Sequence, residues 1–346
     1  MAIVEVSGLN KEFRRNRRYQ GAFGAVRTLF SREYTVHHAV QDVNFSIEEG
    51  EAVGYVGPNG AGKSTTIKML TGILVPTSGE ILVDGRVPHQ HRQENAKVLG
   101  AVFGQRSQLW WDLPVSDSFE LHQHVYGISD DNYRRTLGFC REVLQLDSFL
   151  QAPVRQLSLG QRMRAEMAMA LLHEPKLLFL DEPTIGLDVL AKDRIREFLR
   201  TINRERNVTI ILTTHDLKDI EEICPRLIMI NQGQVMFDNT VAHLKSTVGD
   251  EREIKIEFVS DPGSIELMGG NLVRDEGARK TIRFAQDHGS VMTFLSDVDS
   301  RYPIKDVSIE EVSIEDVIRK LYIQTGQNAP DESELDIWSR HRAVTR

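Results

Sequence analysis

Gly57-Pro58-Asn59-Gly60-Ala61-Gly62-Lys63-Ser64-Thr65 follows the apolar run Ala52-Val53-Gly54-Tyr55-Val56 and leads into the helix-like stretch Thr66-Ile67-Lys68-Met69-Leu70. It fits the pattern G-x-x-x-x-G-K-[ST] lying between a strand and a helix, the setting in which that pattern holds phosphate. Its glycines permit backbone shapes that aim amide N–H groups at an anion, and the helix N-terminus adds its dipole. Residues Gly57 to Thr65 are therefore expected to wrap the phosphates of a nucleotide. Lys63 would reach the β- and γ-phosphates, and the Ser64 hydroxyl would ligate Mg²⁺. Kinases, GTPases and helicases share such a loop, so it leaves the reaction open.

Leu177-Leu178-Phe179-Leu180-Asp181-Glu182 narrows the choice. Four apolar residues predict a buried strand that delivers Asp181 to the carboxyl edge of a sheet, where it can hold Mg²⁺ through water. Glu182 follows directly, placed to polarise a water in line with the γ-phosphate as a general base.

A third stretch, Leu157-Ser158-Leu159-Gly160-Gln161, resembles the signature L-S-G-G-Q of ATP-binding cassettes. The Ser158 hydroxyl and the first amides of the helix beginning there make a second anion site. One nucleotide does not need two γ-phosphate cradles within one chain. Two copies packed head to tail do, each lending its signature helix to the nucleotide held by the other.

With these motifs in this order, residues 1–245 resemble the nucleotide-binding domain of ATP-binding-cassette transporters. The resemblance implies ATP and Mg²⁺ as ligands and ATP hydrolysis as the activity. It also implies a P-loop NTPase core of RecA-like α/β type with an antiparallel β subdomain and a helical insertion. Further roles follow from it. Gln105 would touch Mg²⁺ and the attacking water and report to the membrane subunit. Asp188, in Gly186-Leu187-Asp188, would link two active sites, and His215 would sense the γ-phosphate. Phe13 would stack on adenine, with Tyr19 and Tyr34 as rivals. Ser158, Gly160 and Gln161 would close on the ATP of the opposite copy.

Two departures from the family pattern stand out. Leu159 replaces the first glycine of the signature pair, which implies altered packing against the opposite nucleotide. Residues 14–37 look inserted before the strand at Val43.

The stretches Gln105-Arg106-Ser107-Gln108-Leu109-Trp110-Trp111-Asp112-Leu113-Pro114, Leu157–Glu166 and Asp181-Glu182-Pro183-Thr184-Ile185-Gly186-Leu187-Asp188 resemble bacterial exporter ATPases of the sodium-, antibiotic- and viologen-extruding kind. That subgroup implies a homodimer at the cytoplasmic face of the membrane, driving separately encoded permease subunits. Trp110-Trp111 would then either form a groove for a permease helix or lie buried. An importer ATPase, or an ATPase of a regulatory or DNA-maintenance system, is the alternative. The short interval between residues 65 and 157 lacks the heptads that a DNA-maintenance ATPase carries there.

The rest of the 346-residue chain fits this frame. Short apolar runs predict strands over 2–6, 43–47, 52–56, 98–103, 177–181, 208–213 and 227–230, with helices over 63–71, 160–172 and 189–206. Helical patterns at 116–125 and 133–144 mark the insertion, about 106–160, of a domain spanning 1–247. Residues 248–324 change pattern, with strands over 253–259, 281–285 and 304–309 and helices over 290–300 and 313–322. They form a small C-terminal α+β domain, dimerising or regulatory by resemblance, followed by a polar tail 325–346 expected to be disordered.

No apolar run is long enough to span a bilayer. The net charge of −8 argues against nucleic acid as a partner. Lys11, Arg14, Arg15, Arg17, Arg18, Arg27 and Arg32 nonetheless cluster against a lone Glu12, a segment suited to anionic lipid, to acidic partner loops or to solvent. Cys140 and Cys224 fit no metal spacing and read as buried thiols.

Overall fold

The computed structural model describes residues 1–16, 34–104, 107–247, 251–267, 269–285 and 290–311, together with 314, 317 and 318. The chain divides into two compact units, Met1–Asn239 and Thr240–Arg346.

In the first unit, β1 (Ala2–Asn16) and β2 (Tyr34–Glu48) pair antiparallel from Ala2 opposite Glu48 to Asn16 opposite Tyr34. Strand β3 (Ala52–Val56) is buried at every position and leads through the glycine-rich loop into α1 (Lys63–Leu70). Strand β4 (Ser78–Val83) returns to β1 and completes a three-stranded sheet, β2-β1-β4. Helix α2 (Arg92–Val98) hands directly to β5 (Leu99–Phe103). The helical insertion follows, with α3 (Val115–Tyr126), α4 (Asp130–Leu144), a 3-10 turn at Val154–Gln156 and α5 (Leu159–Leu171). The chain then returns through β6 (Leu177–Asp181), α6 (Val189–Arg206), β7 (Thr209–Thr213), α7 (Leu217–Ile223), β8 (Arg226–Asn231) and β9 (Gln234–Thr240).

The larger sheet runs β5-β6-β7-β3-β8-β9. Its inner strands are parallel and buried on both faces, which is why they read as unbroken apolar runs. Register decides where the site lies. Phe103 stands opposite Asp181, Asp181 opposite Thr213, and Val56 opposite Met229, so the carboxyl ends of β5, β6, β7, β3 and β8 open on one edge. Ligands of open parallel sheets bind outside that edge. Helix α6 buries Ile195, Phe198, Leu199 and Ile202 at helical spacing. Asp188 caps it, accepting from the Ala191 amide at 2.8 Å.

The second unit begins with α8 (Val241–Thr247) and then holds β10 (Glu251–Phe258), β11 (Gly270–Glu276), β12 (Arg279–Ala285), α9 (Val291–Arg301) and β13 (Ile304–Glu311). Its sheet order is β11-β12-β10-β13, all antiparallel. Ile254, Ile256, Phe258, Ile282 and Phe284 face one side, and Phe294 and Val298 of α9 pack onto them.

Several expectations need correction. The chain divides at 239/240 instead of 247/248, because α8 belongs with the second unit. The strands expected over 2–6 and 43–47 are longer and reach into the segment 14–37. Arg14 pairs with Val36 and Asn16 with Tyr34, so charged exposed strand ends had hidden the extent of the ladder. Val98 ends a helix instead of starting a strand. Strand β4 is half exposed, β9 and β11 have no buried position, and none has a long apolar run, so the pattern reading passed over them. The tail 325–346, Arg17 to Arg32, and most of the expected helix over 313–322 lie outside the described residues. Both cysteines are free and buried.

Candidate nucleotide site

The glycine-rich loop is held by its neighbours so tightly that glycine is required. Gly62 sits at φ 106°, and a Cβ there would lie 2.4 Å from the Ala39 carbonyl of β2. A Cβ at Gly57 would meet the Ile230 carbonyl at 2.1 Å. Lys63, 9% exposed, folds back so that its ammonium donates to the carbonyls of Gly57 (2.5 Å) and Pro58 (3.1 Å).

Beside it, the end of β6 presents two carboxylates. Asp181 accepts from the Thr213 hydroxyl at 2.6 Å. Glu182 occupies the left-handed region at φ 55° and turns its carboxylate toward His215. The His215 ring nitrogen Nε2 lies 3.1 Å from Glu182 Oε1, and the His215 amide donates to Oε2 at 3.3 Å. A non-glycine residue at positive φ costs of order 1–3 kcal/mol and persists only where its surroundings over-determine it.

These groups line an open cleft of about 640 Å³. Asn59, Gly60, Gly62, Lys63, Ser64, Thr65, Asp181, Glu182 and His215 border it, and so does Phe13, 40% exposed. Tyr34 does not, and its ring lies under the Arg14 guanidinium at 5.0 Å. His37, Ile73 and Lys68 also line the cleft, though sequence reading singled out none of them. His37 stands directly opposite Phe13 in the β1–β2 ladder. The uniformly exposed run Tyr34–His38 gave no local signal of that pairing. Gln105 lies outside the described residues. Ser64 and Asp181 offer one hydroxyl and one carboxylate at the loop's end of the cleft. That donor set suits Mg²⁺, which keeps waters and phosphate oxygens among its ligands.

The structure places the remaining expected residues elsewhere. Ser158 caps α5 in a reciprocal box, its hydroxyl accepting from the Gln161 amide (3.2 Å) while the Gln161 side chain accepts from the Ser158 amide (2.9 Å). The helix supplies no partner for the amides of Leu159 and Gly160. A Cβ on Gly186 would touch Leu159 at 3.0 Å, and one on Gly160 would touch Ala191 at 3.2 Å. The segment carrying Ser158 and the one carrying Asp188 therefore form a single face, with Leu159 packed over Gly186. None of Ser158, Gly160, Gln161 and Asp188 lines the cleft.

Residues 40–185 match the family model described as ABC transporter. The ABC transporter ATP-binding protein NatA of Bacillus subtilis (strain 168) is 30% identical over 230 residues, covering 66% of this chain and 92% of NatA. The methionine import ATP-binding protein MetN of Latilactobacillus sakei is 31% identical over 325 residues, covering 88% of this chain and 91% of MetN. The chain belongs to the ABC transporter family of ATP-binding proteins. The cholesterol transporter ABCA5 of Rattus norvegicus is 33% identical over 224 residues, and this chain spans 14% of its length. Two solved structures share the fold. One is cbiO1 from Clostridium perfringens, part of the cbiONQ ABC transporter complex (TM-score 0.56, 28% identity, 69% of this chain and 88% of that one). The other is the ATP-binding cassette MJ0796, dimeric and bound to ADP and Pi (TM-score 0.56, 25% identity, 69% of this chain and 98% of that one). The fold is thus that of P-loop NTPases with an antiparallel β subdomain, and the chain is an ABC ATPase.

Burial dominates the electrostatics of this ATPase cleft. It pushes the Glu182 carboxyl up to about 7, with Asp181 adding to the rise and the His215 amide and Lys63 opposing it. Burial lowers His215 and Lys63, favouring their neutral forms. A carboxyl raised above its ordinary 4.5 favours folding when protonated, and that contribution fades as pH rises from 4.5 through about 7. Glu182→Gln removes the titration. The melting temperature of nucleotide-free Glu182→Gln should therefore gain on that of the unchanged protein between these pH values and level off above them. A difference independent of pH would contradict the assignment.

Proposed function

We propose that this chain is the ATP-hydrolysing motor of an ABC transporter, working as a head-to-tail homodimer at the cytoplasmic face of a membrane and driving separate permease subunits. The observation that carries the reading is the division of anion-binding groups between two places on one chain. Lys63 and Glu182 share the cleft, while the amide-rich start of α5 lies on the face shared with Asp188. Leu159, Ile185, Val189 and Leu190 on or beside that face are exposed, as apolar groups awaiting a partner surface are.

In this reading the loop amides and Lys63 hold the β- and γ-phosphates of ATP, and Phe13 stacks on adenine. Ser64, Asp181 and Gln105 would hold Mg²⁺, which would neutralise charge on the phosphate oxygens. Glu182 takes a proton from the water that attacks the γ-phosphorus as the bond to the bridging oxygen breaks, releasing ADP and phosphate. His215 orients that carboxylate and senses the γ-phosphate. Ser158, Gly160 and Gln161 of the opposite copy close over the phosphates, and Asp188 links the two sites. ATP thus favours the closed dimer, and shifting a 1:99 equilibrium to 99:1 needs about 5.5 kcal/mol of differential binding.

The loop beyond Gln105 suits a permease contact. Trp110 and Trp111 are 55% and 53% exposed. Their backbone is pinned by the Arg155 amide donating to Trp111 and the Val154 amide to Leu113, each at 3.0 Å. Export rests on the resemblance of residues 105–114, 157–166 and 181–188 to bacterial exporter ATPases. Import is the second reading, favoured by the 325-residue match to MetN, an import ATP-binding protein. No helix among the described residues is long and apolar enough to cross a membrane.

Glu182→Gln should bind ATP, form a stable dimer by light scattering, and lose turnover by about 10²-fold or more. Near-normal phosphate release by that variant would remove Glu182 from the role of base. Direction is decided by the membrane partner co-purified with this chain. Reconstituted with its cassettes facing outward, the complex should accumulate cargo inside vesicles if it exports, and outward movement of preloaded cargo would instead make it an importer.

A further inference from the structure

Asp219 takes no part in the scheme above, yet it is fully buried at the start of α7. Its Oδ2 accepts from the hydroxyls of Thr184 at 2.5 Å and Thr214 at 3.0 Å. Its Oδ1 accepts from Arg196 Nε at 2.7 Å, and Arg196 Nη2 lies 2.6 Å from the same oxygen as an ion pair. Thr184, Thr214 and Arg196 are each 2% exposed. Two hydroxyls and a forked guanidinium saturate the carboxylate, an arrangement that fixes direction as well as distance.

The origin of those donors gives the network its meaning. Thr184 stands two residues after Glu182, and Thr214 stands one residue before His215. Arg196 lies on α6, the helix that Asp188 caps. Three chain segments, each carrying a residue of the proposed chemistry, are tied to one oxygen pair. The turn at Glu182 also needs such a tether. Its φ of 55° is strained for a glutamate, and the bonds that follow it, Ile185 amide to Glu182 carbonyl at 3.3 Å and Thr184 to Asp219, close the turn.

We propose that Asp219 is a positioning residue for ATP hydrolysis, holding Glu182 and His215 in one fixed relation through the hydroxyls of Thr184 and Thr214. The proposal rests on the reading of Glu182 as the base. Asp219 is fully buried and does not line the cleft, so it acts only on where the reacting groups stand. Misplacing a catalytic group by about 1 Å can cost on the order of 10²-fold in rate while leaving ground-state binding intact. A purely structural tie between helices would show the opposite pattern, with lower stability and an unchanged rate per folded molecule.

The test compares full-length Asp219→Asn, the pair Thr184→Val/Thr214→Val, and the pair Thr184→Ser/Thr214→Ser. Each is assayed below its melting temperature for steady-state ATP hydrolysis and for binding of a fluorescent ATP analogue. Asp219→Asn and the valine pair should lower kcat by about 10- to 100-fold while KM and nucleotide affinity stay within about twofold. The serine pair, which restores the hydroxyls, should recover most of that loss. If Asp219→Asn does not fold, the valine pair decides alone, since it keeps the Arg196–Asp219 ion pair. A valine pair with kcat within about twofold of the unchanged protein, or with kcat and nucleotide affinity falling together, overturns the proposal. Glu182→Gln run alongside separates the two ideas. Retained turnover in that variant would sink the base assignment, whereas its loss beside an unaffected valine pair would sink only the role of Asp219.

Discussion

The Lys63 ammonium is held by the carbonyls of Gly57 and Pro58 at the carboxyl edge of the parallel sheet, with Asp181 and Glu182 close enough to offset part of its burial. A cation can sit there only if the loop beneath it follows a path closed to ordinary residues. That path brings Gly57 against the Ile230 carbonyl and Gly62 against the Ala39 carbonyl, so β8 and β2 must both pass next to the loop. The order β7-β3-β8 places the loop's strand at the centre, and the long β1–β2 ladder carries Ala39 and Phe13 to the cleft. The two sheets and the loop are thus one solution to a single problem, that of holding phosphate-binding groups rigid before any phosphate arrives.

The same economy explains the face around α5. Its N-terminus is tied by the Ser158–Gln161 box, which uses the hydroxyl as acceptor and leaves its proton available to donate. Leu159 takes the place of a glycine without disturbing that box, because its side chain lies over Gly186. The cost is local. At Gly186, with φ 72°, a side chain would be strained and would crowd Leu159. Behind the helix, Glu166 draws the Ser107 hydroxyl and the Gln108 amide onto its buried carboxylate, joining α5 to the segment just after Gln105.

Much of this was legible in the sequence where one local demand governed. The runs 52–56 and 177–181 read as strands because both faces of a parallel strand must be apolar, and 189–206 read as a helix lying between two such strands. The phosphate loop was legible because its glycines are required one by one. Half-exposed strands such as β4 and β9 were not, since their pairing depends on partners distant in the chain. His37 became part of the cleft only through its register with Phe13. The hub at Asp219 could not be foreseen, because an aspartate in a short helix resembles any cap until Thr184, Thr214 and Arg196 converge on it.

The most direct test of the central claim, that each active site is shared between two chains, is complementation by mixing. Chains bearing Lys63→Ala lack a working cradle, and chains bearing Ser158→Arg lack a working signature, so each alone should be inactive. In an equal mixture, random pairing leaves one intact composite site in half of the dimers, and phosphate release should return to as much as about a quarter of the unmixed, unchanged protein. Failure of the mixture to exceed the activity of its separate components would contradict a shared site.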